Sequence, residues 1–331
     1  MGMTTFSGPV NSPGGFIGPF ISAPIPFTGN YYYVNPSSGL DANTGNSPAN
    51  AVKTLTRALA LCTAGNNDVV LLISAVSGGT TTSATLTANL DWNKDSTHLI
   101  GVCAPTMVSQ RARIAPAAGA TSFTPFLTVS ANNCFFANLS IFGGFGTGGA
   151  SNITVSMTGD RNAFENVSFQ GLADAASAGG TGARVMKLDG SSENTFTNCT
   201  IGLDTVQRSA ANYAVEFAGG SARNIFQNCI FPSWASAGGA GGAALYGAAA
   251  SAIDRYTLMD SCAFLNAVAS TGTAITDLIS LPSSAGGMVV LKNCITVGYT
   301  GLGTATALSQ TYIDMSAPSN SAGGLAVNPS A

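Results

Sequence analysis

The side chains that could perform acid–base chemistry in this 331-residue chain are few: 15 Asp and Glu residues and one histidine. Hydrolysis of a glycosidic bond needs two carboxyl groups at a defined separation. Glu193 and Glu216, with Asp189 and Asp204 near them, are the acids that could meet on adjacent turns of a repetitive fold. Because only proximity in sequence marks them, we predict no catalytic residue and keep a carboxylate pair as the open alternative.

Metal and thiol chemistry is also not predicted. The seven cysteines are widely spaced and form no Cys-x-x-Cys pair, which is the usual mark of a structural zinc site. Their odd number, together with the absence of a signal-peptide pattern over residues 1–6, predicts reduced thiols in a protein made in a cytoplasm. His98 lies beside an apolar run and is expected to be structural. We therefore predict no metal site and no cofactor.

The composition excludes several function classes. Charged residues make up 8% of the chain, against about 25% in an ordinary soluble domain. Twelve Lys and Arg residues are too few for a basic nucleic-acid surface, and no apolar run reaches the about 18 residues of a membrane span. A hydrophobic content of 45% predicts a folded chain. Its nearly uncharged surface is typical of a protein that contacts other subunits, since interface cores are depleted of charge.

A short internal repeat predicts the architecture. Its consensus is apolar-x-Asn-(Cys/Val/Leu)-x-apolar, and it recurs at residues 136–141, 164–169, 196–201, 226–231, 259–264 and 291–296. The third positions are 28, 32, 30, 33 and 32 residues apart. A period of this size with β-rich units is typical of a solenoid.

The repeat cannot be one straight strand. Its first and fourth positions are both apolar yet of opposite parity, so one residue between them must break the alternation. Asparagine tolerates the left-handed conformation better than most residues, which predicts a strand, an Asn corner and a second strand. The predicted corner ladder is Asn138, Asn166, Asn198, Asn228 and Asn293. The fourth positions predict an inward column of packed thiols, Cys199, Cys229, Cys262 and Cys294.

Residues 31–65 precede the repeats and have a separate pattern. Residues 31–35 predict a strand. Ser47 and Pro48 have the residue types of a helix N-cap and first position, and apolar residues recur at helical spacing from Val52 to Cys62. A short helix here would cover the open end of the solenoid, where unpaired strand edges invite aggregation.

Three stretches of this segment, at 33–35, 39–45 and 53–59, resemble the beginning of the pectate-lyase-like right-handed β-helix superfamily. The resemblance implies an all-β fold: a right-handed parallel β-helix (β-solenoid) with a short N-terminal capping α-helix, to which the sequence adds an extended N-terminal arm. That superfamily includes polysaccharide lyases and hydrolases, phage tailspikes and non-catalytic virion proteins. The fold therefore does not decide the function.

The N-terminal arm is apolar but broken by Gly and Pro, so it can build neither a helix nor a core of its own. Its predicted anchoring residues are Phe6, Val10, Phe16, Ile17 and Phe20. Phe-Ser-Gly-Pro-Val at 6–10 and Gly-Phe-Ile-Gly at 15–18 are similar to the N-terminal arms of tailed-phage head decoration proteins. The alternative is an arm packed along its own β-helix.

Four segments are expected: the arm at 1–30, a first strand, loop and capping helix at 31–65, the parallel β-helix at 66–315 and a tail at 316–331. The resemblances imply a bacteriophage structural protein, a homotrimeric capsid decoration or cement protein. The arm would bind it to the major capsid protein on the virion surface, after synthesis in the host cytoplasm. The alternative is a tailspike or tail fibre that binds or cleaves a host surface polysaccharide with a groove of acids and aromatics. Trp92 and Trp234 are expected in loops, as packing anchors or interface contacts rather than as a sugar-binding groove. Neither a nucleic acid nor a membrane is expected as a partner.

Overall fold

The computed structural model of the chain contains three long parallel β-sheets that run side by side. It describes residues 29–303, with gaps at 78–79, 147, 269–270 and 283–285, and the strand at 311–314. The described part holds a ten-stranded, an eight-stranded and a seven-stranded sheet, here called sheets 1, 2 and 3. In each coil the chain passes through sheet 1, then sheet 2, then sheet 3, and pairs with the same sheets one coil later.

The strands are short and recur in this order. Sheet 1 contains Tyr31–Val34, Val69–Ile73, His98–Val102, Phe135–Ala137, Ala163–Glu165, Thr195–Thr197, Ser221–Gln227, Ile253–Asp260, Gly287–Lys292 and Thr311–Asp314. Sheet 2 contains Ala84–Leu86, Arg113–Pro116, Ser140–Phe142, Ser168–Gln170, Thr200–Ile201, Ile230–Ser233, Ala263–Asn266 and Ile295–Val297. Sheet 3 contains Leu90–Trp92, Leu127–Val129, Ile153–Met157, Arg184–Asp189, Tyr213–Ala218, Ala243–Gly247 and Ile279–Ser280.

The register of sheet 1 aligns the first position of every repeat. Phe136 pairs with Phe164, Phe164 with Phe196 and Phe196 with Phe226. Their rings stack inside the solenoid with centroids 4.7, 4.9 and 4.4 Å apart and planes within 8° of parallel. Such spacing matches the distance between neighbouring strands, about 4.8 Å. The predicted fold, a right-handed parallel β-helix, is confirmed.

The segment before the coils differs from its prediction in one respect. The apolar periodicity predicted one helix from Pro48, but the structure has a 3-10 turn, Pro48–Asn50, and a separate α-helix, Leu55–Leu61. The chain between them is extended, because Val52 forms a parallel bridge with Val34. Thr54 caps the α-helix by accepting a hydrogen bond from the Arg57 N–H. The helix buries its apolar face in the same core as the coils.

The remaining elements are irregular or small. A hairpin joins Ala75–Ser77 to Thr80–Thr82, and Ile275–Asp277 pairs with Tyr299–Gly301. A four-residue helix, Ala175–Ala178, and a 3-10 turn, Ala237–Gly239, lie in the connections between sheets 2 and 3. Trp92 was expected in a loop, but it ends a strand of sheet 3 and is fully buried edge-to-face against Phe136.

Candidate functional site

The corner asparagines lie between sheets 1 and 2. All five have positive φ angles of 51–55°, and Ser261 takes the same conformation, at 56°, in the coil where Asn is missing. The Asn166 side-chain amide donates to Asn138 Oδ1 at 2.7 Å. The Gln110 side-chain amide in turn donates to the Asn166 carbonyl at 2.6 Å. These amides hold the corner and the loop above it, and they present no reactive group.

The four repeat cysteines lie directly inside this corner and are buried. Each thiol approaches a main-chain carbonyl one coil earlier, as Cys229 Sγ does with Phe196 O at 3.3 Å. Burial raises the pKa of Cys229 well above its ordinary value, and hydrogen bonding with Cys229, followed by burial, raises the pKa of Cys262 to about 12. Protonated, buried thiols are poor nucleophiles and poor metal ligands.

A second line of asparagines was not predicted. Asn162, Asn194 and Asn224 are buried where the chain enters sheet 1. The side-chain oxygen of Asn194 accepts the Asn162 N–H at 2.9 Å, and that of Asn224 accepts the Asn194 N–H at 3.0 Å. The sequence carries a signal for them, since each stands two residues before a stacked phenylalanine of the repeat.

Glu193 sits between two arginines on the surface beside this buried line. Its carboxylate contacts Arg161 Nε at 2.7 Å and Arg223 Nη2 at 2.5 Å, one coil before and one coil after. All three residues have positive φ angles, so they form a second corner, between sheets 3 and 1. The Arg223 hydrogen bond, with the Arg161 charge, lowers the pKa of Glu193. An ionised carboxylate held by two cations cannot donate a proton at neutral pH.

Glu216 belongs to a different cluster, on the outer face of sheet 3. It accepts a hydrogen bond from Arg184 Nε at 2.7 Å. The Arg184 guanidinium lies 4.5 Å from the centre of the Tyr213 ring, and Tyr213 stacks on Tyr246 with centroids 3.9 Å apart. We call these four residues the tyrosine cluster. A stacked aromatic surface beside charged groups can contact a sugar ring.

The structure does not bring Glu193 and Glu216 together. Glu216 lies in register with Lys187 on sheet 3, whereas Glu193 lies in the corner between sheets 3 and 1. Asp189 pairs with Lys187 at 2.8 Å, and Asp204 is exposed in a loop after sheet 2. Glu193 and Asp204 therefore lie in surroundings of their own, whereas Asp189 and Glu216 are both neighbours of Lys187 on sheet 3.

The remaining predictions concern the N-terminal arm, His98, metal sites and membrane spans. The five predicted arm residues lie outside the described residues. His98 is buried, and its Nδ1 accepts the Phe135 N–H at 3.0 Å. Within the described part of the chain, no group of three or more potential metal ligands is found, and no helix is long and apolar enough to cross a membrane.

Comparisons with known proteins agree with the architecture. Neither a protein family nor a curated protein matches the chain. Among solved structures, the pectate lyase Pel9A aligns with a TM-score of 0.55 and 15% identity over 82% of this chain, which spans 64% of the lyase's length. The pectin methylesterase PemA of Erwinia chrysanthemi aligns with a TM-score of 0.54 and 16% identity over 88% of this chain and 91% of its own. The chain shares the fold of these enzymes. At such identities the likeness concerns the β-helix alone.

Proposed function

We propose that this β-helix is a structural protein of a tailed-phage virion, a trimeric decoration protein that binds the major capsid protein through residues 1–30. The main support for the proposal is that acidic residues of the coils form ion pairs with basic residues of neighbouring coils. Glu193 joins three successive coils through Arg161 and Arg223, and Asp260 pairs with Lys292 of the next coil at 3.0 Å. These carboxylates are engaged in ties between coils, which suits a building element better than an enzyme.

The arm supplies the attachment in this proposal. Residues 1–28 carry no charged side chain and contain the apolar anchors named above. An uncharged, Pro-broken segment gains free energy by burying its apolar side chains on another surface. Sheet 1 begins at Tyr31, directly after the arm, so the arm would leave the solenoid at the end that carries the capping helix.

Deletion of residues 1–30 tests the attachment. Capsids of the encoding phage that lack the protein are mixed with the parent or the truncated chain and sedimented. The truncated chain is expected to keep the parent's far-UV circular dichroism and to remain in the supernatant. Deletion of residues 316–331, the opposite tail, is the matched control and should still co-sediment. Normal co-sedimentation of the chain without its arm contradicts the proposal.

A second candidate function, binding of a host surface polysaccharide, is favoured by the tyrosine cluster. Tyr213 and Tyr246 are half-buried, so parts of their rings face solvent beside the Arg184–Glu216 pair. Calorimetry against capsular and lipopolysaccharide fragments tests it: Tyr246→Ala should abolish binding, whereas Tyr256→Ala, an exposed tyrosine on sheet 1, should not. Glu216→Gln separates cleavage from binding. A parent protein that neither binds nor cleaves these glycans contradicts this function.

A further inference from the structure

The outer face of sheet 2 has two halves with different surroundings. In the N-terminal half, the outward residues Ser140, Ser168 and Thr200 are buried. The loop at 103–112 crosses this half, since Thr200 Oγ1 donates to the Met107 carbonyl at 2.8 Å and Gln110 reaches the Asn166 corner. The chain thus covers these coils with its own loop.

Among the described residues, the C-terminal half of the same face is apolar, and its outward side chains are half-buried or exposed. Its outward residues alternate with the buried Phe231 and Phe264. They are Ile230, Pro232, Ala263, Leu265, Ile295 and Val297. Ile295 and Val297 are 56% and 52% exposed. We call these six residues the sheet 2 patch.

The same three coils carry a second apolar surface on sheet 1. Leu258 pairs with Ile225 on one side and with Val290 on the other, and all three point outward and are half-buried. Tyr256 and Met288 extend this surface and are 36% and 37% exposed. We call these five residues the sheet 1 patch. The corner that contains Asn228 and Asn293 separates it from the sheet 2 patch.

We propose that the sheet 1 patch of one subunit packs on the sheet 2 patch of the next, so that three copies close a ring around the Asn corner. Two non-equivalent patches on adjacent sides of the same coils are what a head-to-tail contact requires, whereas a two-fold contact uses one patch twice. This inference rests on the trimer of the proposed function and adds the surface that forms it.

Charge and chain length favour a second copy as the occupant. Asp260 and Lys292, which lie between the patches, form a pair within one chain, so close approach of copies meets little net charge. Residues 315–331 contain Met315, Leu325 and Val327 as their large apolar side chains, fewer than either patch presents. The apolar arm, residues 1–28, is assigned to the capsid in the proposed function. A neighbouring copy offers a surface of matching size, and two patches of five and six residues would form the core of an interface that typically takes about 20–30 residues a side.

Sedimentation velocity on the parent and on two single variants tests the arrangement. Leu258→Asp places a charge in the sheet 1 patch and Leu265→Asp places one in the sheet 2 patch. The parent is expected to be a trimer and each variant alone a monomer. An equimolar mixture of the two should form a dimer, because each variant keeps the patch that the other lacks. Thr128→Asp, at an outward position of sheet 3, is the control and should stay trimeric.

The outcomes separate this inference from the proposed function. A monomeric parent, or trimers of both aspartate variants, would overturn the inference, while co-sedimentation of the parent with capsids would leave the proposed function standing. Association of one variant alone, or no dimer in the mixture, would overturn the head-to-tail arrangement. Far-UV circular dichroism checks that each variant is folded, and Leu→Asn at the same positions replaces a variant that is not.

Discussion

At the scale of single residues, the two lines of asparagine do different work. The corner asparagines are needed for their backbone conformation, with φ near 54°, which glycine also adopts. The buried line is needed for its side chains, because Asn162, Asn194 and Asn224 each satisfy a main-chain N–H of the preceding coil. When a buried N–H group loses its acceptor, the folded state is destabilised by the full free energy of removing that group from water. The two lines should therefore respond differently to mutation.

Asn194→Ala is expected to destabilise the protein strongly. It removes the acceptor of the Asn162 N–H and the donor to Ser191 Oγ, both buried, at about 1–3 kcal/mol for each group left unpaired. Asn198→Gly is the matched control, since glycine adopts the corner conformation, and it should cost less than about 1 kcal/mol. Urea unfolding followed by circular dichroism measures both. Equal effects of the two variants would contradict the distinction.

His98 is expected to make stability depend on pH. Burial lowers its pKa from 6.5 to about 4, so the unfolded chain binds the proton more tightly. The free energy of unfolding should have its full value above pH 6.5 and should decrease as the pH drops from 6.5 toward 4. Between pH 7 and pH 5, where most carboxylates stay ionised, the loss should be on the order of 2 kcal/mol. Urea titrations of the parent and of His98→Gln check it, and a variant that retains the full slope would refute the assignment.

At the scale of elements, the sequence predicts those with a repeated or periodic signal. The strands of sheets 1 and 2 follow from the parity break in the repeat, because an Asn corner is the local solution to two inward apolar sets. Sheet 3 could not be predicted in the same way: its strands, such as Arg184–Asp189 and Tyr213–Ala218, share no consensus. The helix was placed too early because its apolar spacing includes Val52, which a long-range bridge to Val34 holds extended.

The start of the capping helix is expected to depend on Asp41. Its carboxylate accepts hydrogen bonds from the N–H groups of Lys53 and Thr54 and from the Thr54 hydroxyl, each at 2.9 Å. Asp41→Ala should lower stability by about 1–2 kcal/mol, since charge-assisted bonds to main-chain N–H groups are lost. Asp41→Asn keeps an oxygen for the two N–H groups and should lose less. Thermal unfolding compares them, and identical melting of Asp41→Ala and the parent would contradict this role.

At the scale of the whole molecule, the stacking of the coils determines which residues lie close together, and the sequence alone does not show this. Whether two acids meet depends on how many residues each coil has in its loops. The loops differ in length, because the whole repeat varies from 28 to 33 residues. Glu193 and Glu216 are therefore near in sequence yet fall on different parts of the coil, each beside its own arginine. The low charge of the chain, by contrast, can be counted in the sequence without knowing how the coils stack.

The solenoid is expected to tolerate removal of one whole coil. Deletion of residues 198–227 joins Thr197 to Asn228, so the chain continues from sheet 1 into an Asn corner with the same conformation, and the coil before then faces the coil after. Because each coil contacts mainly its neighbours, stability is roughly a sum over coils and their contacts. The shortened chain should keep its β-sheet circular dichroism and unfold cooperatively at a lower temperature. Deletion of residues 198–212 is the control: it joins sheet 1 directly to sheet 3, removes the corner and one strand of sheet 2, and should prevent folding. Equal behaviour of the two deletions would show that the coil is not the unit of this structure.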